Sequence, residues 1–316
     1  MTADDMGTGM DLHHDWEAAG FDLDPVAPCT GPFPRRGFLR TWWEHCRPPG
    51  AEMVFAARSE ALLPLYRNAG RLEFVGDPDL TDYHSPLGTQ VAAAVEELAA
   101  AVPAGTPFRF DSLPAEAAGA IGAGLAAAGL PTTAEHHEVA AVLDLPADPE
   151  RYLAGLDKKQ RHEVRRKRRR FASIRGNPHL GREEGAEAVE TFVAMHRRAG
   201  GDKGSFMTPD RERFFAALHR EAGAVVDVLR DGAGTPVAAA FGFEDADGYY
   251  LYNSAYELEA ADASPGIVLV HLLIEHAIRR KVPRFDFLKG NEPYKFRLGA
   301  QARPLSRLDG VFGATA

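Results

Sequence analysis

The sequence predicts an α/β protein of the α+β kind, with mixed, mostly antiparallel sheets flanked by helices. Three observations carry this. Residues 52–145 read as three short strands, then helix, strand, helix and strand. Residues 227–256 read as three consecutive strands, joined by the turn dipeptides Asp231-Gly232 and Asp247-Gly248. Two helices mark their own starts with Asp148-Pro149-Glu150 and Ser264-Pro265-Gly266, an N-cap residue followed by Pro in the first turn. The two halves share an order of elements, which hints at a duplicated fold without any residue-level repeat.

Taken in order, residues 1–15 read as a mobile tail. His13 and His14, near Asp11 and Asp15, are tail polarity rather than a metal site. A helix over 33–46 carries Phe38, Leu39, Trp42 and Trp43. The two tryptophans are adjacent and so face different ways, one into the core and one over a groove. Strands follow at 52–57, 61–66 and 71–75, then a polar loop over 76–86 that is rich in turn residues. Helices at 90–102 and 115–128 bracket a strand at 107–113, and a further strand covers 138–145. Gly119, Gly122 and Gly124 lie inside a helical pattern; no strand leads straight into them, so they are no dinucleotide fingerprint.

A helix from Asp148 to about Phe171 shows a narrow stripe of Leu153, Leu156, Gln160, Val164 and Phe171. Its other faces carry nine cations between Lys158 and Arg170, against Glu163 alone. Such a field suits phosphate-bearing ligands, or else a solvated face paired with the acidic remainder of the surface. Helices at 187–199 and 210–222 flank a glycine-rich loop over 200–207. Strands at 227–230, 236–243 and 249–256, a helix at 265–280, a short strand at 285–287 and a last strand at 304–308 complete the chain.

Composition narrows the function classes. The 316 residues are 45% hydrophobic and 26% charged, as in a soluble globular protein. A formal net charge of −9 argues against a surface that is wholly a nucleic-acid binder. Cys29 and Cys46 supply no zinc quartet and no disulfide framework, which fits a cytoplasmic setting and leaves a single bridge open. No apolar run spans a membrane, and the acidic N-terminus does not read as a signal peptide.

The chemistry concentrates after Gly248. A tyrosine-rich strand, Tyr249 to Tyr256, leads through a turn into the helix start at Ser264. The first N–H groups of a helix have no partner within it, and the helix dipole favours negative charge there. Strand end plus helix N-terminus is therefore a place for an anion, pyrophosphate being the common occupant. Asp286 sits between Phe285 and Phe287; a carboxylate in an apolar strand is either ion-paired, here with Lys289 or Arg284, or functional.

These stretches resemble the C-terminal half of the FemAB-like and CelD-like branch of the GNAT acyltransferase superfamily. The resemblance rests on Tyr249 to Tyr256, on Ser264-Pro265-Gly266 with its helix, on residues 285–290 and on residues 294–299. The basic run from Leu156 and the Gly-Asp-Lys-Gly segment at 201–204 add to it. It implies two tandem GNAT-like domains after the tail: a degenerate one over 16–146 and an acyltransferase one over 147–316. It implies an N-acyltransferase, of acetyl type, that moves an acyl group from acyl-CoA to a small-molecule amine by direct attack. No Ser or Cys nucleophile and no metal are needed. Where better-known relatives carry an Arg/Gln-x-x-Gly-x-Gly/Ala loop, this chain has Ala261 to Gly266.

On that resemblance, Asp286 and Glu257, or a water held by either, are the base candidates, and Tyr252, Tyr256 and Tyr294 the acids toward sulfur. Tyr252, Asn253, Ser264, Pro265, Gly266 and Ile267 would hold the acyl-CoA. Asp82, Tyr83 and His84, in a loop that faces the inter-domain cleft in similar proteins, would meet the acceptor, with Lys203, Lys289, Lys295 and Arg297. Two alternatives stand beside this reading. One is aminoacyl transfer from an aminoacyl-tRNA, with the basic helix and Lys295 meeting RNA. The other is a catalytically inactive binding protein linked to polysaccharide synthesis.

Overall fold

The computed structural model describes residues 11–17 and 21–313, the side chains of residues 202 and 203 excepted. In chain order the elements are β1 (Asp11–His13), α1 (Arg36–Cys46), β2 (Glu52–Arg58), β3 (Ala61–Asn68), β4 (Arg71–Phe74) and β5 (Leu87–Gly88). Then come α2 (Val91–Ala101), β6 (Pro107–Leu113), α3 (Ala115–Ala127), β7 (Glu135–Asp144), α4 (Pro149–Gly155) and α5 (Lys158–Arg175). They are followed by β8 (His179–Glu183), α6 (Ala186–Arg198), α7 (Gly201–Phe206), α8 (Pro209–Glu221), β9 (Val225–Arg230) and β10 (Pro236–Glu244). The chain ends with β11 (Tyr249–Tyr256), a 3-10 turn (Leu258–Ala263), α9 (Pro265–Arg279), β12 (Arg284–Lys289), α10 (Pro293–Arg297) and β13 (Gln301–Val311). The fold class is mixed α/β, as expected. No described helix is long and apolar enough to cross a membrane.

Two compact units emerge: residues up to Val139 together with those from Pro304, and residues Ala140–Arg303. The expected division into halves at 146/147 is thus altered in two respects: the boundary falls at 139/140, and the last residues do not belong with the second half. The end of the chain returns to the first unit, where β13 pairs antiparallel with β6 (Leu308 opposite Phe110). The edge of β6 otherwise leaves a row of backbone groups without partners.

In the first unit the strands run in the order β1-β2-β3-β4-β6-β13, with β5 beside β3. The β3–β4 turn places Ala69 and Gly70 both at positive φ, 47° and 82°, as a two-residue hairpin with native twist requires. Helices α2 and α3 bury Val95, Leu98, Ile121 and Leu125 against Leu65, Phe74 and Phe110. Residues 11–13, expected in a mobile tail, instead form β1, because the edge of β2 offers its backbone groups (Leu12 opposite Ala56); residues 1–10 lie outside the described part. Trp42 and Trp43, expected to diverge, are both buried. Their rings meet the same Tyr66 edge-on, at 5.7 and 5.9 Å, and Trp42 Nε1 donates to Asp77 at 2.6 Å.

In the second unit the order is β7-β12-β11-β10-β9-β8, with β11 and β12 parallel and the other neighbours antiparallel. Helices cover both faces. Ala238, Ala240, Tyr249 and Leu251 share a core with α9 residues Leu269, Leu273 and Ile274. On the other face Phe241 and Phe243 meet Tyr252, and Phe241 packs on Phe192 of α6 and Phe215 of α8. The helix expected from Asp148 through Phe171 is two helices. Asp157 breaks it, because its side chain accepts from Gln160 N–H and so caps α5 afresh.

Candidate active site

The parallel strands β11 and β12 pair at only two registers, Tyr249 with Phe285 and Tyr250 with Asp286. Beyond these they part. β12 turns away through Leu288, which has φ of 60°, and Gly290, at 114°. Asp286 fixes this turn: it is fully buried, and its Oδ1 accepts Leu288 N–H at 2.7 Å. Lys295 fixes its far side. Its buried ammonium donates to Lys289 O at 2.6 Å and pairs with Glu292 at 3.0 Å.

β11 carries a bulge. Its ladder with β10 steps from Gly242–Leu251 to Phe241–Asn253 and skips Tyr252. A bulge inserts one residue and reverses the in–out alternation beyond it. Before the bulge Tyr249 and Leu251 point toward α9. Tyr252 then lies against Phe215, and Asn253 Oδ1 lies 3.1 Å from His196 Nε2 of α6. After the bulge Ser254 and Tyr256 return to the α9 side, where they line a cavity of about 340 Å³.

The rest of that cavity is the turn and the helix start: Ala261, Ser264, Pro265, Gly266, Ile267 and Val270, with Tyr294 opposite. Pro265 stands at the first helical position, as expected. Ser264 does not act as a side-chain cap. It adopts a left-handed conformation, φ 56°, makes no cap hydrogen bond, and lines the cavity instead. Val268 N–H bonds Ser264 O, whereas Gly266 and Ile267 N–H make no hydrogen bond among the described residues. The turn is thus open, with two helix-start donors beside it. Burial, with Glu292 adding, pushes the Tyr294 hydroxyl up to about 12, so it is a proton-bearing phenol across the working range.

Of the residues singled out in the sequence, the structure brings together Ser264, Pro265, Gly266, Ile267, Tyr256 and Tyr294. Tyr252 packs on Phe215 of α8, and Asn253 meets His196 of α6, both away from the cavity. Glu257 is held in an ion pair by Arg198 at 2.5 Å. Asp286 and Lys295 hold the β12 turn, and Arg284, one of the two partners considered for Asp286, pairs with Asp144. Lys289 is half-buried and Arg297 exposed; neither lines the cavity. The Lys203 side chain lies outside the described residues. In the first unit Tyr83 is fully buried and Asp82 half-buried. His84 lines a separate cavity of about 400 Å³ with Tyr66, Glu73 and Asp111. Its Nδ1 lies 3.1 Å from Asp111 Oδ1. Ser254 and Val270 went unread in the sequence. Val270 sits on an apolar helical face like many others, and Ser254 reaches the cavity only because of the bulge.

Residues 158–296 match the family described as the acetyltransferase (GNAT) domain. That stretch of the chain is thus similar to a GNAT acetyltransferase domain. The parting strands and the cavity at the start of α9 all lie inside it. The solved structures it is similar to include FemX, at 13% identity and TM-score 0.60 over 89% of this chain and 92% of that one. L-PGS from Bacillus licheniformis is similar at 14% identity and TM-score 0.57, over 91% and 93%. The C-terminal domain of a putative lysylphosphatidylglycerol synthetase from Agrobacterium fabrum is similar at 13% and 0.52, over 82% and 80%. At these identities the likeness is one of fold. No curated protein sequence matches the chain.

Proposed function

We propose that the GNAT domain transfers an acyl group, of acetyl type, from acyl-CoA to the nitrogen of a small-molecule amine in the cytoplasm. The single observation that supports this most is the pair of open N–H groups at Gly266 and Ile267, beside a cavity that begins where β11 and β12 part. Two adjacent donors at the positive end of α9 suit a pyrophosphate. The gap between the strands exposes the β11 backbone, which can hydrogen-bond an amide-containing arm without any side chain.

Bound acyl-CoA would supply the thioester: the amine nitrogen forms the new C–N bond, the C–S bond breaks, and amide and thiol result. Tyr294 and Tyr256 supply hydroxyl groups at the cavity; the Tyr294 phenol, kept protonated by its raised pKa, can hydrogen-bond the departing sulfur and pass its proton over as negative charge builds there. The proton lost by the amine returns that phenol to its starting state. Among the described residues no carboxylate or imidazole lines the cavity, so Glu257 and Asp286 would act only through water or through a rearrangement.

Titration calorimetry with acetyl-CoA, followed by thiol release with a panel of amines, tests this reading. Tyr294→Phe is expected to lower kcat roughly a hundredfold with little change in KM. Absence of any acetyl-CoA binding by the full chain would sink the proposal.

A further inference from the structure

The first unit holds a cavity that acyl transfer at α9 does not use. It measures about 400 Å³, and every residue that lines it belongs to that unit. It lies on the face of the sheet turned away from α2 and α3. Leu65, Phe74 and Phe110 pack with those helices. Their neighbours along β3, β4 and β6, namely Tyr66, Glu73, Arg109 and Asp111, therefore point the other way. Register sets Tyr66 opposite Glu73, and Glu73 opposite Arg109. The loop after β4 adds Gly76, Asp77 and His84 to the lining.

His84 is built in an unusual way. Its side chain is 5% exposed, and its ring stacks on Phe74. Nδ1 lies 3.0 Å from Asp111 O and 3.1 Å from Asp111 Oδ1. A carbonyl and an ionised carboxylate only accept, so the neutral ring carries its proton on Nδ1 and leaves a lone pair on Nε2. That Nε2 is buried and has no hydrogen-bond partner among the described residues; the same holds for Thr81 Oγ1. Both atoms sit beside Gly76, where a Cβ would lie 2.7 Å from Nε2 and 2.4 Å from Oγ1. Only glycine leaves them room.

The polar groups around this gap accept rather than donate. The Tyr66 hydroxyl gives its proton to Glu73 at 2.8 Å and keeps its lone pairs. Trp42 Nε1 gives its proton to Asp77. The arginines are engaged: Arg71 pairs with Glu73, Arg109 with Asp309, and Arg307 with Glu135 and Asp309. Glu138 lines the cavity, is exposed, and makes no hydrogen bond or ion pair among the described residues. Burial, and then the carboxylates of Glu73, Asp77 and Asp111, push the Tyr66 phenol far above its ordinary value. The local field is negative, and the missing partner is a donor.

We infer that this cavity binds a small aliphatic molecule through a primary ammonium, which donates to His84 Nε2 while the surrounding carboxylates balance its charge. An ammonium brings three N–H donors and a compact positive charge, which is what the lining lacks. Among the described residues no three His, Cys, Asp or Glu side chains converge as a metal site, so an organic cation suits the cavity better than a metal ion. Phe74 and Pro48 offer apolar wall to a short alkyl stem, and Glu138 offers a contact to a second ammonium. The inference is independent of the acyl-CoA reading, which concerns the other unit.

The test is titration calorimetry of the full chain with 1,4-diaminobutane, and with 1,4-butanediol as the uncharged match in length. Saturable binding of the diamine and none of the diol is expected. His84→Phe keeps the ring on Phe74 and removes the lone pair; it is expected to lose roughly tenfold or more in affinity for the diamine. Glu138→Gln alters an exposed side chain with no partner, and is expected to lose roughly threefold. A melting curve accompanies each variant; if His84→Phe does not fold, Glu138→Gln and the diol decide. Absence of saturable diamine binding up to about 10 mM overturns the inference. So does equal binding of the diol, or diamine binding that the folded variants leave unchanged.

Discussion

A Cβ built on Gly266 lies 3.4 Å from Cδ1 of Tyr256, so the start of α9 and the end of β11 touch with room for one methyl group and no more. That contact closes one end of the cavity. Gly266→Ala is expected to fold normally, with a helix steadied by up to about 1 kcal/mol. Gly266→Leu drives a side chain into the cavity. It is expected to cost tenfold or more in acetyl-CoA affinity, about 1.4 kcal/mol, with thermal stability maintained. Calorimetry and a melting curve on both variants check this, and equal affinity in the two would place the donor elsewhere.

Asp286 separates a structural carboxylate from a catalytic one. Its Oδ1 accepts Leu288 N–H in the turn that parts β12 from β11. An amide oxygen can accept that bond equally well. Asp286→Asn is expected to retain most turnover, whereas Asp286→Ala leaves the buried N–H without a partner and costs about 1–3 kcal/mol. Loss of turnover in a stably folded Asn variant would instead make Asp286 a base.

Lys295 read in the sequence as a ligand contact, and its ammonium is spent on the carbonyl of Lys289 and on Glu292. Lys295→Met keeps the apolar stem and removes the donor. The expected loss is about 1–3 kcal/mol in denaturant unfolding. At temperatures where the variant is folded, little change in acetyl-CoA affinity is expected. A large affinity loss at full stability would refute this.

His271 predicts an acid limb of stability. It is buried on α9 beside Tyr152, and Glu275, Arg168 and Arg279 are its charged neighbours. Burial pushes its pKa down from 6.5 to about 4; Glu275 opposes the shift, and the two arginines reinforce it. A depressed pKa means that the unfolded chain binds the proton first. Stability is therefore intact above pH 6.5 and falls as the pH drops toward 4, by up to about 3 kcal/mol from this group. Urea unfolding of the wild type and of His271→Gln across that window checks it: the two curves should converge as the pH falls.

Much of this protein was legible without coordinates, for a local reason. Pro265 after Ser264, the hairpin turns at 231 and 247, and the aromatic strand from Tyr249 depend on residues within a few positions of one another. Propensity and capping act over that range. The helix start at Ser264, proposed above to hold an anion, was readable in the same way.

Tertiary structure decided what sits in the site. A bulge at Tyr252 is a property of pairing with β10, and it exchanged Asn253 for Ser254 at the cavity, since one extra residue reverses every later side chain. Lys295 and Asp286 became braces of the β12 turn because the chain doubles back there and brings the Leu288 N–H and the Lys289 carbonyl, two and six residues away, onto them, a turn geometry that no propensity signals. The sequence by itself determined where a helix begins and which residues alternate. Only the folded chain determined which side of the sheet each residue faces, because that depends on backbone partners far away along the sequence.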